Sequence, residues 1–383
     1  MLPFENTDPT ATLVGRVWRP EIGPCLITLR GDEVIDITSK SVPTMRDLLE
    51  LDDPATYVRD AVGESLGSLT DLAHLSGEAV GDDVMHLLAP CDLQAVKACG
   101  VTFAESMVER VIEEQAAGDA DRAEEIRAKV KDKIGDSLSG ITPGSDQAME
   151  VKKVLIAEGL WSQYLEVGIG PDAEVFSKAQ PLSSVGFGAS VGLHPVSNWN
   201  NPEPEIVIAV NSRGDIKGAT LGNDVNLRDV EGRSALLLGK AKDNNASCAI
   251  GPFVRLFDDS YGMAQVETAE LTLKVTGEDG FVLNGHSSMT KISRHPADLA
   301  AQTCGRHHQY PDGFFLFLGT LFAPIQDRDN PGQGFTHKVG DVVSISEPHL
   351  GELRNTVRLS TECPEWTFGT AALMRNLAGR GLL

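Results

Sequence analysis

The amino-acid sequence predicts a mostly β, α+β protein. From about Glu174 onward, short β-branched and aromatic runs alternate with Gly, Pro and Asn turns, which is the pattern of antiparallel strands. Helical periodicity is concentrated between residues 105 and 165. No G-x-G-x-x-G follows a strand and no βαβ series repeats, so a nicotinamide-binding doubly wound sheet is not supported.

Residues 11–38 alternate and turn at Pro and Gly, as short strands do, and acidic helical stretches and loops run from there to about Pro90. Residues 1–94 therefore read as a small N-terminal α/β domain, and 95–383 as a larger domain with a helical insertion near 105–165. Ala95–Phe103 reads as a buried strand carrying Gly100. Glu105–Lys133 reads as helix, interrupted at Gly118-Asp119, with helix-spaced pairs Glu124/Arg127 and Glu125/Lys129. A loop, Gly135–Asp146, precedes another helix near Gln147–Gly159. Leu271–Val275, Phe281–Leu283, Phe314–Leu318 and Asp341–Ile345 are expected strands.

The chemistry is concentrated at Glu203-Pro204-Glu205. The β-branched run Ile206–Val210 follows, and strand alternation sends Glu203 and Glu205 to one face. Asn211–Asp215 has the composition of a hairpin turn. The return through Ile216–Leu221 brings Asp224, in Gly222-Asn223-Asp224, back to the start of the first strand. Three carboxylates without His or Cys form a hard-oxygen set that suits Mg²⁺, Mn²⁺ or Ca²⁺ better than zinc. Taken alone, E-x-E also describes two solvated carboxylates on an edge strand.

Bulk properties narrow the function. The chain has 383 residues and a formal charge of −22, which repels nucleic acid and anionic membrane surfaces. No run of eighteen apolar residues is present, so no membrane span is expected. The N-terminus lacks the basic, apolar and small-residue regions of a secretory signal. The six cysteines are scattered without C-x-x-C, consistent with reduced thiols in a cytoplasm.

Arg228-Asp229, Lys242, Asn244-Asn245 and Ile250-Gly251-Pro252 follow the acidic triad. Together, E-x-E, G-N-D-V-x-x-R-D, a lysine eighteen residues after Asp224, and I-G-P resemble the fumarylacetoacetate hydrolase family. Phe176-Ser177-Lys178 is similar to its F-x-K. Asn284-Gly285, Leu318-Gly319-Thr320, Val339–Val343 and Leu350–Leu353 extend the likeness across residues 95–360. The resemblance implies a mixed β-roll catalytic domain behind the small N-terminal domain, and a homodimer or homotetramer. It also implies a divalent metal on Glu203, Glu205 and Asp224, with Mg²⁺ first and Mn²⁺ or Ca²⁺ as alternatives. A 2-oxo acid is the substrate class it implies. Polarising the C2 carbonyl of such an acid makes the C3 hydrogens acidic. From that point members of the family cleave C–C bonds, decarboxylate or dehydrate.

Two segments discriminate among these outcomes. Hydrolytic relatives carry G-x-N-Y-x-x-H-x-x-E, whose His and Glu act on the attacking water. Here Ser106 stands at the His position and Glu109 at the Glu, and a serine is no base near neutral pH. Glu174-Val175-Phe176-Ser177-Lys178 instead resembles the family's 2-keto-3-deoxy-sugar-acid dehydratases. The resemblance implies catalytic roles for Glu174, Lys178 and Lys242, and substrate contacts from Ser106, Arg110, Arg228 and Thr320. Arg228 and Asp229 equally read as a structural ion pair behind Asp224, and Ser106 and Arg110 as a helix start with an exposed arginine. His194, ahead of the metal strand, is a candidate for the pocket wall.

The expected function is Mg²⁺-dependent dehydration of a 2-keto-3-deoxy sugar acid, 2-keto-3-deoxypentonate to 2-oxoglutarate semialdehyde, in cytoplasmic pentose catabolism. The alternative is a 2,4-diketo acid C–C hydrolase with Glu109 or Glu174 as its base. A non-catalytic member is a third reading, against which the intact Glu203, Glu205, Asp224 and Lys242 stand.

Overall fold

A computed structural model describes residues 8, 10–78, 81–103, 107, 141–159, 161–322, 326–329 and 334–383. The helix expected over Glu105–Lys133 and its side-chain pairs lie outside the described residues, as do Ser106, Glu109 and Arg110.

The alternating N-terminal segment forms three antiparallel strands, β1 (Leu13–Arg19), β2 (Gly23–Arg30) and β3 (Glu33–Asp36). Two further strands occur where helix and loop were expected, β4 (Glu64–Ser68) and β5 (His86–Leu88). Edge strand β4 is mostly exposed, so its sequence ESLGS has no apolar alternation to reveal it. The expected buried strand is β6 (Ala95–Gly100), which stops at Gly100 because Val101 turns to φ 53°. The helix expected near Gln147–Gly159 spans Asp146–Ala157, and Ser145 caps it by accepting from the Ala148 N–H at 3.2 Å.

Beyond Glu174 the chain is largely strand: β7 (Glu174–Ala179), β8 (Ser190–Leu193), β9 (Pro204–Val210), β10 (Ile216–Asp224) and β11 (Cys248–Leu256). There follow β12 (Glu270–Thr276), β13 (Val282–Ser288), β14 (Phe314–Phe317), β15 (Val342–Glu347) and β16 (Gly351–Leu359). The large sheet runs β4-β3-β2-β1-β11-β10-β9-β14-β6-β7, with β5 paired to β1. The smaller sheet runs β13-β12-β15-β16-β8. Residues before 94 share the large sheet through the antiparallel β1–β11 pairing at Leu13↔Arg255 and Val14↔Val254.

Strand β9 explains why IVIAV is apolar without interruption. Ile206, Ile208 and Val210 face a core that also takes Leu271, Leu273, Val343 and Ile345 from the smaller sheet. Val207 and Ala209 face the opposite core, with Phe315, Phe317, Ile250 and the short helix Met45–Leu49. A strand buried on both faces reads as a continuous hydrophobic run, and each such side chain contributes about 1.5–3 kcal/mol when fully buried. This doubly covered strand is the rigid base from which the acidic cluster projects. Among the described residues, no helix is long and apolar enough to cross a membrane.

Candidate metal centre

The β9–β10 hairpin forms as the composition of its turn required. Asn211 Oδ1 accepts from the N–H groups of Arg213 at 3.0 Å and Asp215 at 2.9 Å, closing the reversal. The register then places Glu205 opposite Gly222 and Pro204 opposite Asn223, while the Asp224 N–H donates to the Glu203 carbonyl at 3.0 Å. Glu203, Glu205 and Asp224 thus converge at one end of the hairpin. They are 7%, 2% and 1% exposed, and each offers a carboxylate oxygen within 4.8 Å of the others. Gly222 is required in this register, since a Cβ there would collide with Phe317 and Val207.

Every carboxylate is held by identifiable partners. Glu205 Oε2 accepts from the Gly319 N–H at 2.6 Å. Glu203 Oε1 accepts from Asn226 Nδ2 at 3.1 Å, and the same amide nitrogen donates to Glu231 Oε2 at 2.6 Å. Lys242 Nζ donates to Glu203 Oε2 and to Asp224 Oδ2, the latter at 3.1 Å. Lys178 Nζ lies 2.7 Å from Asp224 Oδ1 and donates to the carbonyls of Val225 at 3.2 Å and Lys242 at 2.6 Å.

Three carboxylates against two ammonium groups leave one net negative charge in a volume closed to solvent. The charge is distributed unevenly. Burial raises the pKa of Asp224, but Lys178 and Lys242 pull it down further, and it stays below its ordinary value. Burial works against the Lys242 ammonium, yet Asp224 and Glu203 hold its pKa above the usual lysine range. Glu205 has no ion-pair partner among the described residues. Burial first, then the Asp224 and Glu203 charges, raise its pKa well above the usual carboxylate range. An all-oxygen set with one carboxylate lacking a counter-charge fits a hard divalent cation.

Glu174 opens β7 opposite Gly100, and its carboxylate lies so close over that residue that a Cβ there would collide with Oε2. Phe176, two residues along, has Lys242 Nζ 5.7 Å from its ring centroid. Lys178 is fully buried against Asp224 and backbone carbonyls. Its ammonium is thus held by two carbonyls and by the Asp224 carboxylate, all inside the protein.

Arg228 and Asp229 go separate ways. The Arg228 guanidinium stacks 4.2 Å from the Trp199 ring centroid. Asp229 instead accepts from Ser197 Oγ at 2.7 Å and the Asn198 N–H at 2.8 Å, fixing the loop ahead of β9. Thr320 follows Gly319 directly, and its hydroxyl accepts from the Phe322 N–H at 3.1 Å. His194 Nδ1 accepts from the Val196 N–H at 3.0 Å within its own loop. Asn226, Gly319 and Trp199 emerge only from the structure. The first two occupy motif segments, G-N-D-V-x-x-R-D and L-G-T, but only folding shows what their side chain and N–H bind.

Similar proteins agree with this architecture. Residues 193–358 match the fumarylacetoacetate (FAA) hydrolase C-terminal family. A protein of Haloferax volcanii named "Probable 2-keto-3-deoxyxylonate dehydratase" is 28% identical over 333 residues, covering 87% of this chain and 94% of that protein. A 2-dehydro-3-deoxy-D-arabinonate dehydratase of Saccharolobus solfataricus is 30% identical over 185 residues, 48% of this chain and 58% of its own length. A solved 2-keto-3-deoxy-D-arabinonate dehydratase complexed with magnesium and 2,5-dioxopentanoate shares the fold. Its TM-score is 0.62 at 20% identity, over 91% of this chain and 99% of that one. The residues that match the fumarylacetoacetate (FAA) hydrolase C-terminal family, 193–358, contain the hairpin and its acidic cluster.

Proposed function

We propose that the protein is a Mg²⁺-dependent hydro-lyase that dehydrates a 2-keto-3-deoxypentonate to 2-oxoglutarate semialdehyde, acting in the cytoplasm. One observation carries the reading: strand β7 runs from Glu174, seated over Gly100, to Lys178, which touches Asp224 of the acidic cluster. A carboxylate is thereby carried on the strand whose other end touches the cluster. The dehydratase names of the two relatives support the reaction, and the magnesium and 2,5-dioxopentanoate of the solved dehydratase support the metal and product.

Glu203, Glu205 and Asp224 would hold the dication, which supplies polarisation of the substrate's C2 carbonyl. Lys242 holds Glu203 and Asp224 in place, and with Lys178 it keeps Asp224 ionised. Phe176, beneath Lys242, covers that ammonium with an apolar ring and limits its access to water. Glu174 takes a proton from C3 and gives one to the departing C4 hydroxyl, which leaves as water. The resulting C3–C4 double bond then migrates toward C5, and tautomerisation yields the C5 aldehyde. Arg228, which opens the short helix after Asp224, and Thr320, next to the Gly319 that holds Glu205, are assigned to substrate contact.

The test is direct. With Mg²⁺ and 2-keto-3-deoxypentonate, the protein should form semialdehyde, read by a coupled semialdehyde dehydrogenase. The same preparation should cleave 2,4-diketo acids poorly, read by diketone absorbance. Efficient diketone cleavage without semialdehyde would overturn the proposal and make the protein a C–C hydrolase.

A further inference from the structure

Strand β7 is reached through the segment Val167–Ala173, and two residues outside the mechanism above grip that segment. Arg294 is 3% exposed, and its Nη2 donates to three carbonyls there: Val167 at 2.9 Å, Gly170 at 2.7 Å and Asp172 at 3.3 Å. Gln302 lies on the helix Pro296–Thr303. Its Oε1 accepts from the Ala173 N–H at 2.7 Å, and its Nε2 donates to the Pro171 carbonyl at 3.4 Å and to Asp298 Oδ2 at 3.2 Å. The last of these grips, at Ala173, is one residue from Glu174.

The same stretch also grips the residues that follow the strand beneath Glu174. Ile292 bridges Phe103, and the Ser293 N–H and hydroxyl both donate to the Thr102 carbonyl, at 2.8 and 2.7 Å. Thr102 Oγ1 in turn donates to the Leu318 carbonyl at 2.7 Å, beside the Gly319 whose N–H holds Glu205. Residues 292–302 therefore bind Thr102 and Phe103, just past the Gly100 that forms the seat of Glu174, and the segment up to Ala173 that leads into β7, where Glu174 itself is mounted.

Arg294 directs one nitrogen at three carbonyls of a single short segment, which fixes that segment's path more than any one bond would. The Glu174 carboxylate is confined from below by the β6 backbone and from its N-terminal side by these bonds.

From this arrangement we infer that Arg294 and Gln302 are positioning residues for the dehydration, holding the Glu174 carboxylate in the orientation from which it exchanges protons with substrate. The inference rests on the reading of Glu174 as the group that moves the proton. A displacement on the order of 1 Å at a reacting group costs about 10²-fold in rate, so remote bonds of this kind can govern turnover.

The experiment uses the full-length protein with Mg²⁺ and compares Arg294→Met, Arg294→Lys and Gln302→Leu. Arg294→Met should lower kcat by about 10²-fold, leave KM and Mg²⁺ affinity unchanged, and move the acid limb of the kcat–pH profile. Arg294→Lys should recover part of the loss, and Gln302→Leu should show the same pattern at smaller size. Placed in a Glu174→Gln background, Arg294→Met should cost nothing further, because both changes disable one group. A folded Arg294→Met protein with wild-type kcat and pH profile would overturn the inference, as would a full additional loss in the Glu174→Gln background. If Arg294→Met does not fold, Gln302→Leu decides by the same criteria. Should Glu174→Gln itself turn over at nearly the wild-type rate, the assignment of Glu174 fails on its own. Amide exchange at Ala173 and Glu174 then reads the clamp separately: faster exchange in the folded variants supports it, and unchanged exchange overturns it.

Discussion

Lys178 Nζ stands 2.7 Å from Asp224 Oδ1, and both side chains are closed to solvent. The pair joins β7 to β10 at the acidic cluster. It answers a problem that the hairpin creates, since the β9–β10 register forces three carboxylates into one buried space. Lys242 engages the opposite oxygen of Asp224, so this carboxylate is gripped between two ammonium groups. Asp224 is thereby kept ionised whether or not a metal is bound, while Glu205 is left as the carboxylate whose charge a dication would complete.

Removing that ammonium should expose the underlying repulsion. Lys178→Met should destabilise the metal-free protein by about 3–5 kcal/mol, the scale of breaking a buried ion pair. Mg²⁺ should then raise the melting temperature by more than it does in wild type, because it replaces part of the missing positive charge. Thermal melts in EDTA and in Mg²⁺ check this, and an unchanged metal-free melting temperature would count against the pairing.

Glu205 should be the ligand most sensitive to neutralisation. Glu205→Gln keeps an oxygen for the Gly319 N–H but removes the charge. It should abolish measurable Mg²⁺ binding in calorimetry while leaving the metal-free fold intact, since the neutral amide suits the buried site and keeps the Gly319 bond. Full metal occupancy and activity in this variant would refute the assigned ligand set.

The raised Glu205 pKa has a definite consequence for pH. In the metal-free protein the folded state holds this proton more tightly than the unfolded chain, whose reference value is 4.5. Its contribution to stability is therefore full below that value and is lost as pH rises through the folded pKa. Metal binding requires the carboxylate, so Mg²⁺ should displace the proton and bind more tightly as pH rises through the same range. Calorimetry in buffers of different ionisation enthalpy should show proton release on binding, and its absence would place the raised pKa elsewhere.

The hairpin also has no spare room beside its ligands. Gly222→Ala would drive a methyl group against Phe317 and Val207. Overpacking of this kind costs about 1–3 kcal/mol, and here the displaced strand carries Asp224. Both the melting temperature and Mg²⁺ affinity should fall together. A loss of stability with unchanged affinity would show that the core yields on the Phe317 side instead.

Glu174→Gln separates proton transfer from binding. Binding of a 2-oxo acid to the Mg²⁺-loaded protein should change little, whereas kcat should fall by about 10²-fold or more, the usual scale for loss of a general acid/base. Stopped-flow binding and steady-state turnover measure the two effects. A rate within a few-fold of wild type would assign the proton to another residue.

What was legible in the sequence was what short-range pattern controls. The antiparallel β character, the NSRGD reversal and the meeting of Glu203, Glu205 and Asp224 follow from strand alternation and one local turn, because hairpin register is set by neighbours in sequence. Strand β4 escaped notice because its exposed residues carry no apolar alternation. Other features required the tertiary structure. The Gly319 N–H that holds Glu205 lies 114 residues away, and nothing in Leu318-Gly319-Thr320 states which carboxylate it will meet. The resemblance to F-x-K marks Lys178, but its pairing with Asp224 follows only once β6, β14 and β9 bring β7 into the same sheet as β10. The β1–β11 seam and the grip of Arg294 on the lead-in to Glu174 are of the same kind. Local pattern sets which atoms a residue can offer, but a buried charge or N–H takes its partner from whatever surface the completed core presses against it, and that choice is made by packing.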